Sequence, residues 1–433
     1  MVDLAPMHGL RYSDTYADER VYAPPYDVID PERRRRLLDK SPYNMVRLIL
    51  GGEPGNIEWH ARAAETMARW IAEGVLVRDR QPALYGYRQH FRDANGRPRV
   101  RTGVMGRVRL SPWGGPIHRH EHTRIEPRLD RLRLTRAVRA NLSPVFGLYR
   151  DPGDDVRHLL VPPQDDRDPD LLVDLVDEEG VRHLLWRIAD PSTIGAVTTG
   201  LASREVIVAD GHHRYETALA YQLERREASG NPTGVQPYDY VLMYLAAVED
   251  PGLCILPAHR IVRVAKGLDP ERVLAVLRQD FEVSPVSVGV RLSTAAAEAG
   301  NHAVAIGVCF GPDSQWVLRL KERSAARRGP SPAPGSGLAE TDVSVLQNLI
   351  LERHLGIDKE TLARTERVTY TTDEDEACAC AARGEGQVAF ILNATPIEQV
   401  WAAAERGLTM PQKSTYFHPK LLSGLVMNPL DDA

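Results

Sequence analysis

One stretch of this 433-residue chain constrains its fold more than any other: Glu205-Val-Ile-Val-Ala-Asp-Gly-His-His-Arg-Tyr-Glu-Thr-Ala-Leu-Ala-Tyr221. The first five residues are a short apolar, β-branched run, the signature of a buried strand. Beyond the turn, Ala218, Leu219 and Leu223 recur at helical spacing, with Glu224, Arg225 and Arg226 on the other face. Asp210 to Arg214 must therefore make a tight strand-to-helix turn, and Gly211 supplies a backbone freedom that other residues lack. The helix aims its unpaired N–H groups and positive dipole end into that turn, which suits an anion such as phosphate. Arg214 adds a bidentate fork for phosphate oxygens. The plainer alternative is that Asp210 caps the helix and the histidines are polar loop residues. The functional reading takes Asp210 and His212 as catalytic candidates, and Gly211, His213 and Arg214 as phosphate or nucleotide binders.

Two further segments carry chemistry. In His118-Arg-His-Glu-His122 the imidazoles alternate, so on a strand they would share one face and could ligate a metal; in a loop the alternation means nothing. Glu121, flanked by His120 and His122, is a candidate general base, because neighbours can tune a carboxylate towards neutrality. Lys413-Ser-Thr415 offers one ammonium and two hydroxyls, enough for a small oxyanion cradle or for an ordinary polar turn. His120, Thr123, Asn44 and Arg101 are supporting or substrate-contacting candidates. No Gly-x-x-x-x-Gly-Lys-[Ser/Thr] loop occurs, and Gly103-Val-Met-Gly106 matches no dinucleotide fingerprint.

Elsewhere the chain reads as mixed α and β. Asn95-Gly96 lies between two alternating runs and predicts a hairpin. Ser41 to Leu50 reads as a loop into a strand, and Trp59 to Gly74 as an amphipathic helix with Ala63, Met67, Trp70 and Ile71 as its stripe. The helix after the histidines is expected from Asp130. Three regions follow from this pass: 1–112; 113–250 with the His/Glu segment and the central turn; and 251–433, which includes a low-complexity segment at 323–340 expected to be a mobile loop. The Lys-Ser-Thr tail is expected to return to the site.

A net charge of −5 supplies no basic field for nucleic acid or an anionic membrane. Met1-Val-Asp-Leu lacks the basic start and apolar stretch of a signal peptide, and no apolar run reaches membrane-spanning length, so a cytoplasmic protein is expected. Four cysteines (Cys254, Cys309, Cys378 and Cys380) are too few and scattered for a disulfide framework.

Pro25-Tyr-Asp-Val-Ile29, Ser41-Pro-Tyr-Asn44, His120-Glu-x-Thr123, Asp130-Arg-Leu132, Asn141-Leu-Ser-Pro144, Asp210-Gly-His-His-Arg-Tyr-Glu-Thr-Ala218, Leu256-Pro-x-His-Arg260 and Met410-Pro-x-Lys-Ser-Thr-Tyr-Phe417 occur in this order. Together they resemble the domain of unknown function 1015 family of bacteria and archaea, over nearly the whole chain. More locally, Asp210-Gly-His-His-Arg214 resembles the Gly-x-x-Arg phosphate turn of the ParB/sulfiredoxin superfamily. Sulfiredoxins carry a reactive Cys in this turn, where His212 and His213 stand here. Partition proteins continue into a helix-turn-helix module and a basic surface, neither of which this sequence shows. Free-serine kinases share the Asp-Gly-His-His-Arg form and pair it with a Glu base, which makes them the nearest chemical parallel.

The expected fold is thus α+β, a ParB/sulfiredoxin-like phosphate-turn core within a larger mixed protein. The expected function is nucleotide-dependent phosphoryl transfer to a small hydroxyl metabolite, with L-serine or phosphoserine as first candidates. In it, ATP or ADP would lie on Gly211, His213 and Arg214, and Asp210 would position Mg²⁺ or the acceptor. Glu121 would take the hydroxyl proton, and Lys413, Ser414 and Thr415 would neutralise the transferred charge. The alternatives are a metal-dependent hydrolase or phosphatase built on His118, His120, His122 and Asp210, and a non-catalytic nucleotide-binding regulatory module.

Overall fold

The computed structural model describes residues 1–52, 58–121, 123, 125–165, 167–263, 269–287, 289–300, 303–321, 341–358, 367–384 and 388–431. His122, Arg124 and the low-complexity segment at 323–340 lie outside them. The fold is mixed α+β, in two compact units. The first comprises Met1–Arg119, Thr123–Cys254 and Pro419–Ala433; the second comprises His120–His122 and Ile255–His418. The regions 1–112 and 113–250, separated in the sequence reading, contribute strands to one sheet of the first unit.

That sheet is built from β1 (Leu4–Ala5), β2 (Leu84–Arg92), β3 (Pro98–Arg109), β4 (Ile117–His118), β5 (Val145–Tyr149), β6 (Leu171–Val176), β7 (Arg182–Ile188), β8 (Val206–Asp210) and β9 (Tyr240–Ala247). Its order is β4-β8-β5-β9-β3-β2-β7-β6, with β1 against β3. The β2–β3 hairpin turns at Asn95-Gly96, where Gly96 has φ +74°, the left-handed backbone that such turns need. Every residue of β9 is buried, as expected for a strand in mid-sheet whose sequence lacks polar alternation. β8 runs parallel to β4 and antiparallel to β5, and its ladder to β5 shifts register between Val208 and Asp210. This bulge inserts Ala209 just before the turn and re-aims Asp210.

Helices α1 (Pro31–Lys40), α2 (Trp59–Ala72), α3 (Ile125–Val138), α4 (Pro191–Ala202) and α5 (His212–Ala228) complete the first unit. Asp30 and Asp190 cap α1 and α4 through side chains that accept from Arg33 N and Thr193 N, each ahead of a proline at the first helical position. In α2 the expected stripe is buried at Ala63, Met67 and Trp70, whereas Ile71 is 46% exposed. α3 begins at Ile125, five positions before the expected start. The predicted strand ending at Leu50 is instead a short helix, Val46–Ile49. A brief run buried on all sides carries no period that separates strand from helix, and the Asn44 side chain, accepting from Val46 N at 2.9 Å, sets the helix start.

The second unit carries a separate sheet of β10 (His259–Val262), β11 (Phe281–Pro285), β12 (Ala305–Gly311), β13 (Ser314–Leu320), β14 (Val368–Thr371) and β15 (Val388–Ile391), ordered β11-β13-β12-β15-β10-β14. Leu277, Phe281, Leu318, Leu346, Ile350 and Phe390 anchor one core on it. A second cluster packs Cys309 against the helix Glu374–Ala382, which holds Cys378 and Cys380.

Candidate active site

The turn after β8 has the geometry that its sequence demands. Gly211 sits at φ +91°, ψ 27°, immediately before the first residue of α5. A Cβ at Gly211 would lie 2.9 Å from the Arg214 guanidinium carbon, so the backbone conformation favours glycine and any side chain there would displace the guanidinium. The N-cap position of α5 is Gly211, which has no side chain, and Asp210 stands one residue ahead of it. The Asp210 carboxylate bridges two cations, with Oδ2 2.6 Å from an Arg214 guanidinium nitrogen and Oδ1 2.8 Å from Lys420 Nζ. Arg214 also donates to the Pro144 carbonyl. Side chains of Asp210, Arg214 and Lys420 keep 19%, 12% and 13% of their surface. Two fixed cations against one carboxylate, beside the positive end of a helix, leave the turn electropositive.

His212 is buried, its ring centroid 6.5 Å from that of Trp113, and His213 is half-buried. Two positions beyond Arg214, Glu216 gathers the segment between β4 and α3. It accepts from Thr123 Oγ1 at 2.5 Å and Trp113 Nε1 at 3.2 Å, with Arg119 and Arg128 within 3.6 Å. Thr123 is thus a tether for its own segment. Tyr215 fixes the same region from the core, its hydroxyl donating to Ser111 O at 2.8 Å.

The remaining expected residues fall into two groups. In the first unit, Asn44 is fully buried and holds backbone: Nδ2 donates to Arg20 O at 2.6 Å and Tyr22 O at 3.1 Å, while Oδ1 accepts from Val46 N. Arg101 is also fully buried, stacked 4.8 Å over the Phe146 ring, donating to Gln89 Oε1 and, at 2.6 Å, to Pro419 O. Arg101 therefore anchors the segment that delivers Lys420. Both side chains are engaged in building the fold, which matches the supporting role among the two expected for them.

In the second unit, His120 and the Lys-Ser-Thr turn come together. His120 is fully buried, with Nε2 3.0 Å from Thr415 Oγ1, and its carbonyl accepts from Met410 N at 2.7 Å. Glu121 forms an isolated parallel bridge with Met410. Ser414 Oγ donates to Pro411 O at 2.5 Å, and Lys413 adopts a positive φ of 56°, a conformation sparse for a non-glycine residue. Buried Arg260 donates to Gln412 O at 3.1 Å and Lys413 O at 2.9 Å. Burial lowers the Arg260 pKa from its ordinary value, against which the Tyr370 and Glu121 charges pull. Ser414 is thus bound into its own turn, and Thr415 to His120.

His118 lies on β4 with Nε2 3.5 Å from Glu205, and His122 is outside the described residues. Among the described residues no group of three or more His, Cys, Asp or Glu side chains is placed to hold a metal ion. Both Asp210 oxygens face a cation already, so the residues present do not build a Mg²⁺ site there. Glu216 was given no role from sequence, although it lies within a quoted motif; Lys420 lies three residues beyond the end of another. No helix of the described residues is long and apolar enough to cross a membrane.

Several solved structures are similar to this chain at low identity. A conserved hypothetical protein from Pyrococcus furiosus is 14% identical, covering 74% of this chain and 92% of its own, with a TM-score of 0.35. Free serine kinase in complex with AMP is 12% identical, covering 73% and 86%, with a TM-score of 0.36. SbnI with C-terminal truncation from Staphylococcus aureus is 11% identical, covering 74% and 85%, with a TM-score of 0.34. No curated protein matches the sequence. The family model described as "Protein of unknown function (DUF1015)" matches residues 4–345, and the chain belongs to that family.

Proposed function

We propose that this protein is a nucleotide-dependent phosphotransferase acting on a small hydroxyl metabolite, with L-serine or phosphoserine the first substrates to try. What carries the reading is the turn itself: a left-handed Gly211 opening α5, with Asp210 held between Arg214 and Lys420. Phosphoryl transfer needs mainly positioning and charge stabilisation, and a helix start flanked by a guanidinium and an ammonium offers both. In this reading the backbone at Gly211, with His213 and Arg214, holds nucleotide phosphates. Asp210 keeps both cations in place, and Lys420, paired with it, adds positive charge at the turn. His212 is reserved for proton exchange at the turn. Glu121 is assigned the role of proton acceptor, and Lys413, Ser414 and Thr415 that of charge neutralisation; both assignments rest on residue chemistry alone. No step depends on a protein-built Mg²⁺ site.

The test is the purified chain with ATP or ADP against L-serine and phosphoserine, assayed for transfer and for a nucleotide-induced rise in melting temperature. Lys420→Met should cut nucleotide affinity about tenfold or more, the scale of one charge-assisted contact. Neither transfer nor a nucleotide-induced shift in the native protein discards the proposal. A shift without transfer, unchanged in Glu121→Gln, makes the protein a nucleotide-binding regulatory module instead.

A further inference from the structure

A cavity of about 50 Å³ is bounded by Arg214, Arg131, Tyr26, Asn141, Ser143 and apolar walls such as Leu142. By the criterion that one water needs roughly 10–15 Å³ of such space, it has room for about three to five waters, a range that includes the four oxygens of one phosphate group. Its polar lining is one-sided. Two guanidiniums line it, from α3 and α5, and no acidic residue does. Arg131 is buried, donates to Asp130 and to Ile49 O at 2.6 Å, and lies 4.2 Å over the Tyr26 ring. Burial and the Asp27 charge push the Tyr26 phenol up to about 12, and Arg131 and Arg214 both act against that rise. The phenol is therefore neutral and able to donate at any working pH.

The donors that remain are decisive. A guanidinium has five N–H groups, and Arg214 uses its bonds on Pro144 O and Asp210. Asn141 Oδ1 accepts from Leu242 N at 3.0 Å and from Asn428 Nδ2 at 3.0 Å. Those two donors fix the carboxamide orientation and leave its NH₂ as the half that can donate. The lining itself carries the charges of Arg131 and Arg214 and no carboxylate; Asp130 and Asp210, which pair with them, are not part of it. Two guanidiniums bordering one low-dielectric cavity repel each other, and an anion placed between them relieves that repulsion.

We propose that this cavity is a binding site for one compact oxyanion, a phosphate or a carboxylate group, held between Arg131 and Arg214 with Asn141 as neutral donor. The site shares Arg214 with the nucleotide reading above but otherwise uses other residues, and it requires no phosphoryl transfer. Small anions (inorganic phosphate, sulfate, acetate and lactate) are titrated separately into the full chain by calorimetry at low ionic strength. Melting temperature is followed in parallel, because a ligand of the native state raises it. The native protein should bind at least one of them in one-to-one stoichiometry. Phosphate and sulfate without the carboxylates identify a phosphate site; the reverse pattern identifies a carboxylate site. Arg131→Gln should weaken binding at least tenfold. Because Arg131 also supports α3, Ala218→Leu provides a second route: it fills the cavity from α5 and leaves every charge in place. It should abolish anion binding while retaining the nucleotide-induced melting shift. No saturable binding by the native protein, or equal binding by Ala218→Leu, overturns the site, whatever the outcome of the nucleotide assays.

Discussion

Replacing Gly211 by alanine tests the turn at its most constrained atom. Two separate costs are expected. At φ +91° a side chain meets the ordinary left-handed penalty of about 1–2 kcal/mol. The new Cβ would also lie 2.9 Å from the Arg214 guanidinium carbon and its Nε. The guanidinium is the far end of a flexible side chain, so it gives way. Its movement strains the 2.6 Å ion pair with Asp210 and the bond to Pro144 O. A hydrogen bond to a charged group contributes about 1.5–3 kcal/mol and a neutral one about 0.5–1.5. Gly211→Ala should therefore destabilise the first unit by about 2–4 kcal/mol, only part of it through the backbone. A melting shift of roughly 2–4 °C per kcal/mol is expected for a unit of this size. The two parts are separated by a double-mutant cycle: made in an Arg214→Ala background, the same substitution should keep only the backbone cost. Gly211→Asn gives the converse, since Asn tolerates the left-handed region better but retains the Cβ. If Gly211→Ala costs the same with and without Arg214, the coupling between turn and guanidinium is refuted.

Other expectations follow from the same contacts. Asn44→Ala should lower stability by about 2–4 kcal/mol, because it removes three hydrogen bonds from a fully buried site; unchanged ligand affinity in the folded fraction would mark Asn44 as structural, and a selective loss of affinity would reverse that assignment. His259 is held neutral: burial lowers its pKa to about 4, and Nδ1 accepts from Leu392 N at 3.2 Å. With the folded value below the unfolded one near 6.5, the unfolded chain takes up the proton first. Stability is then full above about pH 6.5 and falls by up to about 3 kcal/mol as pH drops towards 4; His259→Asn should flatten that dependence in urea midpoints measured across the range. Glu121→Gln should reduce phosphoryl transfer by about 10²–10⁴-fold if the carboxylate is the proton acceptor, with nucleotide binding retained; wild-type turnover in that variant removes Glu121 from the chemistry.

Much of the local architecture could be read from residues alone, because short-range sterics decide it. The β-branched run 206–208, the glycine at 211 and the helical spacing beyond it admit one solution, and the structure adopts it. The same holds for the Asn95-Gly96 hairpin and for α4, where Pro191 follows a capping Asp190. Partners were another matter. Asp210 and Lys420 are 210 positions apart, and no local pattern says that Lys420 rather than Lys413 meets that carboxylate. Asn44 looks like a polar site residue until its carboxamide is found stitching together residues 20, 22 and 46. Arg101, polar in sequence, is buried because its guanidinium stacks on Phe146 and reaches the carbonyl of Pro419. Arg131 gave no functional signal, since its importance lies in a cavity that α3, α5 and residues 140–143 enclose together. Period, caps and turns arise within a few bonds of each residue and are written in the sequence; which charges meet, and which polar groups are shut away from water, is set by chain segments brought together only when the sheet and helices pack.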